Sequence, residues 1–195
     1  MKGVGKESPS PYLVAVSCLA CAAPCDAVLC RRCGDALRNA PDRWIGGVLV
    51  RSAFLHEDPA RKLVHRLKYQ AMPLVGIGRV LAPLLPTSTA ALVPIPRVLL
   101  RRWRYGVDPA LEIARSLAAV TGLRVSPVLQ TPVWVHRRAG RSGETHGTPR
   151  FRLLAAVPRG AVLVDDVVTT GATLRAAAAV TGIEMAVTLT SAVRP

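Results

Sequence analysis

Residues 161–173 read AVLVDDVVTTGAT, and nearly every residue type in that run has a chemical use. Four apolar β-formers predict a buried strand over 161–164, followed by the adjacent carboxylates Asp165 and Asp166 and then by Thr169, Thr170, Gly171, Ala172 and Thr173 opening a helix. A helix N-terminus offers free N–H groups and the positive end of its dipole, while a glycine lets backbone approach closely and hydroxyls add donors. Such a turn can enclose a phosphate. The two acids cannot serve the phosphate, because like charges repel. They fit the vicinal hydroxyls of a ribose, or a divalent cation beside one.

A second cluster lies near the N-terminus. All five cysteines fall between Cys18 and Cys33, and four of them form the pairs Cys18-x-x-Cys21 and Cys30-x-x-Cys33. The CxxC spacing lets two thiolates of one tight turn reach the same ion, and two such turns complete a tetrahedral sulfur set suited to structural Zn2+. Cys25 lies between the pairs and could replace one of the four.

The 161–173 segment resembles the phosphoribosyl pyrophosphate (PRPP) motif of type I phosphoribosyltransferases. That resemblance implies that Asp165 and Asp166 hold the ribose hydroxyls of PRPP, and that Thr169, Thr170, Gly171, Ala172 and Thr173 hold its 5′-phosphate. Val93-Pro94-Ile95-Pro96, the arginines Arg97, Arg101, Arg102 and Arg104, and Tyr105-Gly106 before an Ala-rich helix are similar to a stretch of the ComF competence family. The four-cysteine finger and Leu67-Lys68-Tyr69 extend the similarity over nearly the whole chain. It implies a pyrophosphate loop at Pro96 and Arg97, with Mg2+ accompanying PRPP. It also implies displacement of pyrophosphate by a nitrogen nucleophile, in DNA uptake or nucleotide salvage. The chain departs from the family pattern at Asp108-Pro109, where the family has Asn, and in the loop over 131–152, where only Arg137, Arg138, Arg141 and Phe151 remain as counterparts.

The 195 residues carry 26 Lys+Arg against 12 Asp+Glu, a formal charge of +14. Only four of the basic residues are lysines, leaving 22 arginines, whose planar forks suit phosphate. This excess attracts polyanions and excludes a small acidic enzyme. A different function, a single-stranded-DNA-binding module of the uptake machinery without turnover, draws on Arg101, Arg102, Trp103 and Arg104, where arginines flank an aromatic able to stack on bases. DNA-uptake proteins are the partners that the family resemblance implies.

The positioning elements follow from composition and period. With half of its residues hydrophobic and only 4% aromatic, the core must be Ala, Val and Leu, which favours α/β with buried parallel strands. At this length about 70% of the unfolded surface can be buried, enough for one main domain and a small appendage. The appendage is placed at 1–40, as a zinc-ribbon-like unit, and the phosphoribosyltransferase-like domain, a parallel sheet flanked by helices, at 41–195. Expected strands cover 47–55, 92–95, 123–129, 161–164 and 185–193, with helices over 59–69, 74–85, 109–121 and 173–181. The apolar run over 12–23 is short and interrupted for a signal, and no stretch reaches the ~20 apolar residues of a membrane helix, so a cytoplasmic protein is expected.

Overall fold

In a computed structural model, residues 17–27, 29–69, 75–97, 108–131 and 150–192 are described. From the N-terminal side come α1 (Arg31–Asp35), β1 (Arg43–Ile45), β2 (Val48–Leu55), α2 (Ala60–Tyr69) and α3 (Val75–Leu81), the last continued by a 3-10 turn at Ala82–Leu84. Then follow β3 (Ala91–Pro94), α4 (Pro109–Thr121), β4 (Arg124–Val125), β5 (Leu129–Gln130) and β6 (Arg152–Leu153). The chain closes with β7 (Ala161–Val168), α5 (Ala172–Thr181) and β8 (Met185–Ser191).

Six strands form one sheet in the order β1-β2-β8-β7-β3-β4. Five of them run parallel; β1 pairs antiparallel with β2 at the edge, so the sheet is mixed rather than purely parallel. Sequence reading missed β1 because three residues followed by Gly46-Gly47 carry too little pattern to register. The strand expected over 123–129 divides in two. Arg124–Val125 joins β3, whereas Leu129–Gln130 turns away and pairs with Arg152–Leu153.

Burial alternates along the central strands and separates two cores. Leu92, Val162, Val164, Val187 and Leu189 pack with α2, α3 and α4 through Leu63, Leu67, Ile77, Ile113 and Leu117. On the opposite face Val48, Val50, Val93, Leu163 and Ala186 meet Leu174 and Ala177 of α5. Helix α4 begins with a proline at its first turn, a position with no backbone donor to lose, and stops where Gly122 turns left-handed at φ +74°. Helices α4 and α5 therefore leave neighbouring strands, β3 and β7, toward opposite faces of the sheet. That divergence opens a crevice at the strands' carboxyl ends.

Candidate ligand-binding cleft and metal centre

The crevice is a cleft of about 250 Å³. Its walls come from the end of β3 (Ile95, Pro96, Arg97), the start of α4 (Asp108, Pro109, Ala110), and β7 with its following turn (Asp165, Asp166, Val167, Thr169, Thr173). Lys68 closes it from α2, and Thr131 and Phe151 border it. The acid pair, Pro96, Arg97, Thr169 and Thr173 thus share one opening. Thr170, Gly171 and Ala172 complete the turn behind it rather than line it.

Strand β7 is longer than the expected 161–164 and carries both acids within its ladder, Asp165 opposite Thr188 of β8. Pairing persists because Val167 and Val168 continue the β-former run and find Thr190 and Ser191 as partners. Being part of a strand fixes the acids more firmly than a loop would. Asp166 follows Val164 on the α2 face, where its carboxylate lies 3.2 Å from the Lys68 ammonium. An Asp165 carboxylate oxygen accepts the Asp166 backbone N–H at 2.8 Å. Burial, then the neighbouring Asp166 charge and side-chain hydrogen bonding, push the Asp165 carboxyl well above the ordinary carboxylate range, against smaller opposing pulls from the Asp166 backbone N–H and Lys68.

The turn between β7 and α5 is built around Gly171. Its φ of +72° is left-handed, and its missing side chain leaves room for Ile45 of β1. The N-cap of α5, Gly171, has no side chain to cap the helix, and the Thr170 hydroxyl accepts the Ala172 N–H at a long 3.4 Å. Arg175 instead reaches back to donate to the Thr170 carbonyl at 2.9 Å, which braces the turn, while Thr169 and Thr170 remain exposed.

Hydroxyls tie the strands beneath the acids. Ser52 and Thr188 hydrogen-bond at 2.7 Å across β2 and β8, and Thr188 donates to the Thr190 carbonyl at 3.2 Å. Thr190 makes a long 3.5 Å bond to the Asp166 carbonyl and meets His56 Nδ1 at 2.9 Å. Burial lowers the His56 pKa, helped by Lys68 and Arg61 and opposed by Asp166 and Asp58.

The four paired cysteines converge. Their Sγ atoms all lie within 4.8 Å of one another, an arrangement that could hold a metal ion. Cys21 and Cys30 sulfurs stand 3.7 Å apart, close to the ~3.8 Å edge of a tetrahedron with the ~2.3 Å bonds of zinc thiolate. Cys25 is not part of the group; its thiol donates to the Ala27 carbonyl at 2.9 Å. Burial and the neighbouring thiols push Cys33 up to about 12. Burial also acts to raise Cys18, but backbone N–H groups at Cys21, Cys30 and Ala20 outweigh it and bring Cys18 down to about 6. Within the cluster Cys18 is thus biased toward the thiolate and Cys33 away from it.

Sequence reading brings Lys68 in only as part of the Leu67-Lys68-Tyr69 segment and Asp108 only as a departure from the family pattern, and it does not point to His56. For Lys68 a signal existed, since a lysine ending an amphipathic helix is unusual in a chain so dominated by arginine. Arg101, Arg102, Trp103 and Arg104 lie outside the described residues, as do the loop residues Arg137, Arg138 and Arg141. Among the described residues no helix is long and apolar enough to cross a membrane. No protein-family model and no curated protein matches the chain.

Proposed function

We propose that the chain binds PRPP with Mg2+ and transfers its phosphoribosyl group to a nitrogen nucleophile, as a ComF-like phosphoribosyltransferase of the cytoplasm whose cysteine cluster holds a structural zinc ion. One observation carries this reading. Asp165, Asp166, Thr169 and Thr173 line a single cleft at the carboxyl ends of the neighbouring strands β3 and β7, the place where open α/β sheets take their ligands. A free phosphate loop would suit many ligands; a phosphate turn with strand-held acids beside it suits a sugar phosphate.

In the reaction the C1–O bond to pyrophosphate breaks and a C1–N bond forms, with the electron pair of the broken bond leaving on pyrophosphate and the N–H proton of the nucleophile passing to water. Bound magnesium supplies charge neutralisation at the departing pyrophosphate. The protein's share is positioning and electrostatics. The Thr169–Thr173 turn anchors the 5′-phosphate through backbone N–H and hydroxyl donors. Asp165 and Asp166 accept hydrogen bonds from the ribose hydroxyls and fix the sugar's face. Pro96 and Arg97, at the other wall, stand at the pyrophosphate end.

Calorimetric titration with PRPP and Mg2+ tests the assignment, on wild type and on the Asp165→Asn/Asp166→Asn double variant. Binding that disappears in the variant is expected, together with pyrophosphate release when a nitrogen acceptor is supplied. Undiminished binding by the double variant removes the ribose assignment.

The second reading, a single-stranded-DNA-binding module, is favoured by the +14 charge. A phosphate-dominated footprint requires affinity to fall steeply with added salt. Salt-insensitive or absent binding eliminates it.

A further inference from the structure

Residues 152–156 are all exposed, and four of the five are apolar: Leu153, 44% exposed, Leu154, 57% exposed, and Ala155 and Ala156. An unbroken apolar run held in water marks surface that another molecule covers. Strand β6 opens the run and has β5 as its one neighbour among the described residues. Leu153 stands opposite Leu129, and the Leu154 N–H donates to the Val128 carbonyl at 2.8 Å. Ladder bonds of an antiparallel pair fall on alternate residues, so the N–H and C=O of Leu153 point away from β5, toward an open edge. The charge around this edge has one sign. Arg150, Arg152 and Arg159 are exposed, and their side chains form no ion pair among the described residues. No Asp or Glu occurs over 145–164, and neither β5 nor α5, the elements packed against β6, carries one.

We propose that β6 and the residues after it form a docking edge for an extended acidic segment of a partner protein, which adds as a strand beside β6. Its main chain bonds to the Leu153 N–H and C=O, its carboxylates meet Arg150, Arg152 and Arg159, and its apolar side chains cover Leu153 and Leu154. Other occupants fit less well. A bilayer offers nothing to the Leu153 N–H and C=O, which insertion would strip of water. A second copy brings its own arginines to the edge, and the segment over 132–149 carries three arginines against one glutamate. Nucleobases stack on aromatics, and 152–159 has none. Phe151, directly before β6, borders the cleft, so a docked strand lies beside the cleft rim. The docking edge stands whatever the cleft binds.

Fluorescence anisotropy on the full chain tests this, with a labelled, end-blocked peptide of alternating Glu and Val as the probe. Saturable binding is expected, weakened about tenfold or more by Leu154→Asp, the scale of one lost anchor residue at an interface. Both leucines and all three arginines are exposed, so the thermal midpoint should stay at the wild-type value. Should Leu154→Asp not fold, Arg152→Gln/Arg159→Gln carries the same comparison. A Gln-Val peptide of equal length is expected to bind about tenfold more weakly or worse, for want of carboxylates. Two N-methylated probes, blocked at the Glu or at the Val positions, report strand addition, because one of them must lose the main-chain donors that face β6. Absence of saturable binding, equal affinity for the Gln-Val peptide, full binding of both methylated probes, or binding unchanged in the variants overturns the proposal. So does Leu154-dependent attachment to phosphatidylglycerol vesicles, or Leu154-dependent self-association in sedimentation, by a chain that does not bind the Glu-Val peptide.

Discussion

Gly171 packs its α-carbon against Ile45, leaving no space for a side chain: a Cβ built there would collide with Ile45 Cγ2. The edge strand β1, too short to be read from sequence, thereby shapes the turn between β7 and α5. Gly171→Ala combines left-handed strain of about 1–2 kcal/mol with overpacking of about 1–3 kcal/mol. A fall of that size in unfolding free energy, measured by urea denaturation, is expected, together with loss of PRPP binding. An alanine variant as stable as wild type contradicts the packing.

Asp165 makes a stability prediction with a definite sign. Its carboxyl is raised in the folded state, so folding favours the protonated form, and stability declines as pH climbs above the ordinary carboxylate value of about 3.9. Asn in its place keeps the acceptor for the Asp166 N–H without the charge. Thermal midpoints should be higher for Asp165→Asn than for wild type at neutral pH, converging as pH approaches about 4. Curves that stay parallel over this range exclude the shift.

His56 has the opposite pH sense. Its lowered pKa means that the fold prefers neutral imidazole, so its contribution is complete above the ordinary value of about 6.5 and is lost as pH falls through it. Removing the ring in His56→Ala also removes its bond to Thr190, a cost of about 1 kcal/mol at pH 7.5. The deficit should shrink toward pH 5. Calorimetric scans at both pH values decide it, and a deficit that grows in acid refutes the assignment.

One zinc ion per chain is expected from elemental analysis of protein purified under reducing conditions. Replacing Cys30 and Cys33 with serine should abolish it, whereas Cys25→Ser should retain it, because that thiol is committed to the Ala27 carbonyl. Full metal content in the double variant would falsify the ligand set.

Much of this architecture was legible because local signals agreed. The α4 boundaries follow from Pro109 and Gly122, and the CxxC pairs announced their own convergence. What escaped was nonlocal. The extension of β7 through Asp165 and Asp166 depends on pairing with β8, and the division of 123–129 depends on β6 being available to Leu129. The Lys68–Asp166 pair joins residues nearly a hundred positions apart, a meeting that only the sheet order brings about.

Helix α2 holds two grips within its closing turn. Arg66 donates to the Cys18 carbonyl at 3.1 Å, and two residues later Lys68 reaches Asp166. Leu19 shares a core with Leu63 and Leu67 of the same helix. The cysteine turn and the acid pair of β7 are thus fastened to the same end of one helix. By reciprocity, any coupling free energy that this shared turn carries from sulfur to carboxylate it must carry back, so a ligand that steadies Lys68 would tighten the equilibrium hold of the thiolates on an ion by the same factor.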